Sequence, residues 1–180
     1  MLLRRSRCTD RAFQMTQGLF EDVRGKFRAI THKLIERKIT ITAMESCTGG
    51  QIASLLTDTE GSSEVFKGSL VTYSNEAKIR HGVPEATIRT YGVYSKQTAK
   101  AMAHACRSEF GSDIGLGITG SFGNADPANE DSVPGEVWFA IETDAGVQCF
   151  NCSIPAQKDR LSYKMYMADA VADALKELLR

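Results

Sequence analysis

The chain has 180 residues, 42% hydrophobic and 24% charged, which suits one globular domain with a single sizeable core. Twenty-two basic side chains balance twenty-two acidic ones, so the overall charge offers no footprint for nucleic acid. No apolar run approaches the ~20 residues that span a bilayer, and the basic first residues lack the apolar core of a secretory signal, so a cytoplasmic protein with no membrane partner is expected.

Residues 1–20 are polar, mixed in charge and weakly periodic, and read as an N-terminal extension, with Met15 as an alternative start; residues 21–180 read as the domain. Over residues 21–38, Val23, Phe27, Ile30, Leu34 and Ile35 recur at helical spacing. The β-branched run Ile39-Thr40-Ile41-Thr42 predicts a strand, and Gly49-Gly50 opens a second helix reaching about residue 58. A loop at Gly61-Ser62-Ser63 leads to a strand over 65–73 and a short helix over 74–81. Pro84 suits the first turn of another short helix, and Ser95 the N-cap of a longer one that aligns Ala99, Met102, Ala103, Cys106 and Phe110. A strand over 113–119 runs into a long polar loop, 120–134. Strands over 137–142 and 147–154 are joined by a tight turn at Asp144-Ala145-Gly146. A last helix, from about residue 158 to the end, repeats Leu161, Met165, Ala168, Ala172, Leu175 and Leu179 along one face. Alternating helices and strands predict a layered α/β domain, and the hairpin makes its sheet mixed.

The five cysteines, Cys8, Cys47, Cys106, Cys149 and Cys152, are odd in number and read as reduced thiols. Cys149 and Cys152 form a C-x-x-C, but in a strand their side chains point to opposite faces, which disfavours a redox or metal pair. His32, His81 and His104 lie far apart without metal-ligand spacing, so no metal or cofactor is expected.

Open α/β sheets build their sites beyond the carboxyl ends of strands, and three such ends carry unusual residues here. The first is Glu45-Ser46-Cys47-Thr48-Gly49-Gly50, where a serine sits between strand and helix and the glycines let a ligand approach the backbone. The N–H groups of Thr48, Gly49 and Gly50 are candidate oxyanion donors at the start of that helix. The second is Val71-Thr72-Tyr73-Ser74-Asn75-Glu76-Ala77-Lys78. If the two strands are neighbours, Lys78 reaches Ser46 and can act as its base, provided burial lowers its pKa from about 10.4. The third is Gly117-Ile118-Thr119-Gly120-Ser121-Phe122-Gly123, leading into the polar loop. Taken singly, Ser46 reads as a helix cap, Lys78 as a solvated charge, Tyr73 and Thr119 as packing or turn residues; their joint order points to a site.

The segments Met44-Glu45-Ser46-Cys47-Thr48-Gly49-Gly50, Gly61-Ser62-Ser63 and Val71-Thr72-Tyr73-Ser74-Asn75-Glu76-Ala77-Lys78 resemble the CinA C-terminal domain family of competence/damage-inducible proteins, whose stand-alone members include nicotinamide mononucleotide deamidases. Gly92-Val93-Tyr94-Ser95, Ile118-Thr119-Gly120, Gly135-Glu136-Val137-Trp138-Phe139-Ala140 and Asp159-Arg160 extend the resemblance over about residues 21–179. It implies a three-layer α/β/α fold with a mixed, mostly parallel sheet, and a pyridine nucleotide as small-molecule substrate. The implied reaction turns nicotinamide mononucleotide into nicotinic acid mononucleotide and ammonia. The family's serine–lysine pair falls on Ser46 and Lys78. Tyr73, Thr119 and Arg160 fall on further active-site positions, and Gly120 joins Thr48, Gly49, Gly50, Thr119 and Arg160 as expected substrate contacts.

Two departures stand out. The loop after Thr119-Gly120 reads Ser121-Phe122-Gly123-Asn124-Ala125-Asp126-Pro127-Ala128, with Glu130-Asp131 following, instead of the family's Ala-Gly-Pro and glycine-rich run. Lys164 stands where an arginine is expected one turn after Arg160. The altered loop motivates an alternative, an amidase for another small amide. A second alternative is a non-catalytic nucleotide- or partner-binding module tied to competence or DNA damage. A Cys47–His thiol hydrolase is disfavoured because no histidine has a placed partner. A homo-oligomer is expected from fold analogy alone.

Overall fold

Val23, Phe27, Ile30 and Leu34 return to one side of the first helix, α1 (Arg7–Arg37), and that side is buried. The computed structural model describes residues 7–129 and 131–180; residues 1–6 of the expected 1–20 extension, the side chains of Cys8 and Met15, and Glu130 lie outside the described residues. The helix begins at Arg7, well before residue 21, because periodicity registers only the stretch that packs, and its deeply buried positions start at Val23.

Five strands follow: β1 (Ile41–Glu45), β2 (Phe66–Val71), β3 (Ile114–Gly120), β4 (Glu136–Thr143) and β5 (Gly146–Ser153). They form one sheet in the order β2-β1-β3-β4-β5, with β1 parallel to β2 and β3, and β4 and β5 antiparallel. Helix α2 (Gln51–Thr57) connects β1 to β2. The connection from β2 to β3 carries α3 (Asn75–Arg80), α4 (Glu85–Tyr91) and α5 (Lys96–Phe110), and α6 (Arg160–Leu178) follows β5. Ser74 and Ser95 cap α3 and α5 by accepting from Ala77 N and Thr98 N, and Asp159 caps α6 by accepting from Ser162 N. Pro84 occupies the N-cap of α4, one place ahead of its expected first turn, and Gly61-Ser62-Ser63 leads into a short 3₁₀ turn over Ser62–Glu64. No described helix is long and apolar enough to cross a membrane.

Strand alternation divides the core into two layers. Ile41 and Ala43 of β1, with Ile114, Leu116 and Ile118 of β3, join α1, α2 and α6 in the larger cluster. On the other face Met44 packs with Val83 and with Met102 and Cys106 of α5. The chain is thus a three-layer α/β/α sandwich. Its second interface depends on glycine: a Cβ on Gly117 would run into Ala99 O and Ala103 N, so α5 rests on bare backbone. Gly117→Ala is therefore expected to destabilise the protein by about 2 kcal/mol, read from denaturant unfolding, because helix backbone cannot yield as a side-chain tip does.

Candidate active site

Strand β1 lies between β2 and β3, and the pairing brings Glu45 level with Val71 on one side and Ile118 on the other. The ladders extend one residue further, since Thr72 N donates to Glu45 O (2.8 Å) and Ser46 N donates to Ile118 O (3.1 Å). The residues just after these strands therefore meet at one edge of the sheet, beside the point where the chain turns to opposite sides of β1.

Ser46 sits in the first of these turns. Gly49 N donates to Ser46 O (3.0 Å), and Gly49 and Gly50 both take left-handed backbone, with φ of 59° and 90°. Glycine is required here for conformation more than for ligand access. A Cβ on Gly49 would also lie 3.2 Å from Lys164 Nζ, which places that α6 lysine over the turn.

Lys78, one turn into α3, points back across β2. Its Nζ donates to Ser46 Oγ (3.0 Å) and to Thr72 O (2.8 Å). Ser46 is 5% exposed and Lys78 only 1%. Burial brings the lysine pKa down to about 8, against the opposing pull of Asp126 and Glu76, among others. Neighbouring Cys47 is buried and its thiol is pushed up to about 12, so it stays protonated and is a poor nucleophile.

Glu45, expected only as the residue before Ser46, carries a role of its own. Its side chain is fully buried, and its carboxylate accepts from Gly50 N (3.0 Å), Ile52 N (3.1 Å) and Ala53 N (2.9 Å). It thereby caps α2, whose N-cap residue is a glycine with no side chain to do so. This corrects the expected oxyanion donors: Gly50 N–H is held by Glu45 and Gly49 N–H by Ser46 O. Of the three, Thr48 alone has an N–H without an intramolecular acceptor among the described residues. Its buried hydroxyl is also without a hydrogen-bond partner there.

A cavity of about 450 Å³ reaches Cys47, the residue after Ser46, with Tyr73, Glu76, Phe122, Asp126 and Arg160 also in its wall. Gly120 also lines it. Tyr73 stands at the rim, 61% exposed, and its hydroxyl accepts from Arg160 Nη2 (2.7 Å). The Arg160 guanidinium also lies over the Phe122 ring, 5.5 Å from its centre. Thr119 departs from its expected place against substrate: it is fully buried, and its hydroxyl donates to Val93 O (2.9 Å), tying β3 to the segment before α5. A larger hollow, about 560 Å³, lies among α1, α2 and α6; its lining includes Ser54 but no lysine or histidine.

The loop after Gly120 folds over the cavity through side-chain bonds that span long stretches of sequence. Asp126 accepts from Tyr94 Oη (2.5 Å), and Asn129 Oδ1 accepts from Asn75 Nδ2 (2.8 Å) on α3. Asp131 accepts from Tyr94 N (2.9 Å). Two of the acidic residues that set this loop apart in charge, Asp126 and Asp131, are thus its fastenings.

Comparison with known proteins agrees with this fold. The model of the CinA C-terminal domain matches residues 26–180. A CinA-like protein of Chloroherpeton thalassium is 40% identical over 149 residues, covering 81% of this chain and 35% of that protein. Another, from Gemmatimonas aurantiaca, is 36% identical over 129 residues, covering 71% of this chain and 30% of its own length. The chain thus matches about a third of these curated relatives. Among solved structures, the competence/damage inducible protein CihA from Agrobacterium tumefaciens superposes with a TM-score of 0.80 at 27% identity, covering 88% of this chain and 96% of that one.

Proposed function

We propose that this chain, which belongs to the family of the CinA C-terminal domain, is a serine–lysine amidohydrolase that releases ammonia from nicotinamide mononucleotide and leaves nicotinic acid mononucleotide. The observation that carries the reading is the buried contact of 3.0 Å between Lys78 Nζ and Ser46 Oγ, with a lysine pKa brought down to about 8. A neutral amine that donates to Thr72 O keeps its lone pair free for the serine proton.

In the proposed reaction Lys78 takes the Ser46 proton as Oγ adds to the carboxamide carbon. The Thr48 N–H holds the developing oxyanion. The C–N bond then breaks, and the lysine ammonium gives its proton to the departing nitrogen, which leaves as ammonia. Water attacks the resulting ester, Lys78 accepts the water proton, and Ser46 recovers it as the acid departs. Arg160, the cation in the cavity wall, is proposed to hold the phosphate. Tyr73 is proposed to fix that arginine through its hydroxyl.

The test is ammonia release from nicotinamide mononucleotide by wild type, Ser46→Ala and Cys47→Ser, with the acid product identified by mass. Wild type and Cys47→Ser should turn over; full activity in Ser46→Ala would end the serine mechanism, and binding without turnover by wild type would favour a non-catalytic module. The base must be unprotonated, so kcat/KM should rise with pH through the lysine value near 8. Between pH 7 and pH 9 the expected increase is about tenfold. A profile flat across this window would remove Lys78 as the base.

A further inference from the structure

We infer that Asp126 is a specificity-determining residue, a fixed carboxylate in the cavity wall that favours amides bearing a positive charge near the reacting carboxamide over neutral ones. The inference rests on the proposed hydrolytic role of Ser46 and Lys78.

Asp126 is held in place from several directions. Oδ2 accepts from Tyr94 Oη (2.5 Å) and Asn129 Nδ2 (2.7 Å), and Oδ1 accepts from Ala128 N (3.0 Å). Its own N–H donates to Ser132 Oγ (2.7 Å). Asn129 is bonded in turn to Asn75 on α3, the helix that carries Lys78. The carboxylate is therefore set relative to the reactive pair and does not swing with a free loop.

The Tyr94 hydrogen bond, with those from Ala128 and Asn129, holds Asp126 below the ordinary aspartate range, so it is ionised at neutral pH. The charged side chains in the described cavity wall are Glu76, Asp126 and Arg160. The guanidinium is already engaged by Tyr73 and Phe122, and Lys78 loses its charge above its pKa of about 8. Above that pH the site therefore carries an excess of negative charge. A neutral amide displaces water from Asp126 without returning an equivalent interaction, whereas a cationic ring compensates it at a distance, even with most carboxylate lone pairs already used. An N-alkylated pyridine carboxamide has this character.

The test reads binding with the nucleophile removed. The full chain carrying Ser46→Ala is titrated calorimetrically at about pH 9, where Lys78 is neutral, with 1-methylnicotinamide, a cation, and nicotinamide, its neutral counterpart. The cation should bind about tenfold more tightly, and added salt should shrink that preference. Adding Asp126→Asn should bring the two affinities together. Adding Tyr94→Phe, which removes one hydrogen bond but keeps the charge, should retain most of the preference. Equal affinities in the parent, no measurable affinity for the cation, a preference insensitive to salt, or an equal loss in Tyr94→Phe and Asp126→Asn would overturn the assignment. Failure of the wild type to release ammonia would overturn the hydrolytic reading alone and leave this comparison intact.

Discussion

Lys78→Met is expected to lower kcat for ammonia release by about a thousandfold while leaving the fold at least as stable as wild type at pH 7. The two outcomes have one origin. Burial brings the Lys78 pKa from 10.5 down to about 8, so at pH 7 the folded protein holds a proton in a place that resists it. A shift of that size corresponds to about 3 kcal/mol of stability withheld. Methionine fills similar volume without that penalty, and its loss of the bonds to Ser46 Oγ and Thr72 O costs about 1 kcal/mol each. The net expectation is a gain of about 1 kcal/mol in denaturant unfolding. Above pH 8 the unfolded chain binds the lysine proton more tightly than the folded chain does, so wild-type stability climbs toward the ordinary lysine value of 10.5. The variant lacks this dependence, so its advantage should vanish and then reverse over that window, leaving wild type about 2 kcal/mol the more stable. A variant that is both inactive and several kcal/mol less stable would mark Lys78 as a structural residue.

Glu45→Ala is expected to cost about 4 kcal/mol of stability, a larger loss than that expected for Gly117→Ala. The carboxylate is the common acceptor for Gly50, Ile52 and Ala53 N–H groups, and no alternative cap is present at Gly50. Removing it strands those donors at a partly buried helix start. Amide hydrogen exchange should accelerate first at these three positions, ahead of the sheet. Because the same turn positions Ser46, kcat should also fall by about a hundredfold at temperatures where the variant remains folded. A melting temperature within a degree or two of wild type would show that water serves the helix start equally well.

Most elements are legible from periodicity and punctuation, and the boundaries that differ do so for identifiable reasons. Ile39 and Thr40 look like strand residues, yet Ile39 N donates to Leu34 O and closes α1 behind Lys38, whose φ is 56°. Thr40 is held by Asp113, so pairing of the strand starts at Ile41. Ser46 and Lys78 are legible as candidates because each follows a strand, but only the adjacency of β1 and β2 brings them together. Glu45 has a readable signal: it shares the buried face of Ile41 and Ala43, just ahead of a helix whose N-cap is glycine. Family position points Thr119 toward substrate, whereas its bond to Val93 depends on how α5 approaches the sheet. The roles of Asp126 and Asn129 are hidden in the sequence because their partners, Tyr94 and Asn75, come from other segments of the chain.

The fastened loop has a consequence for the thermodynamics of ligand capture. Its ordering entropy is spent when the chain folds, so an arriving molecule meets a wall already in position. Association should then resemble docking to a rigid surface, with a heat-capacity change set by the apolar area covered and little contribution from a segment becoming ordered.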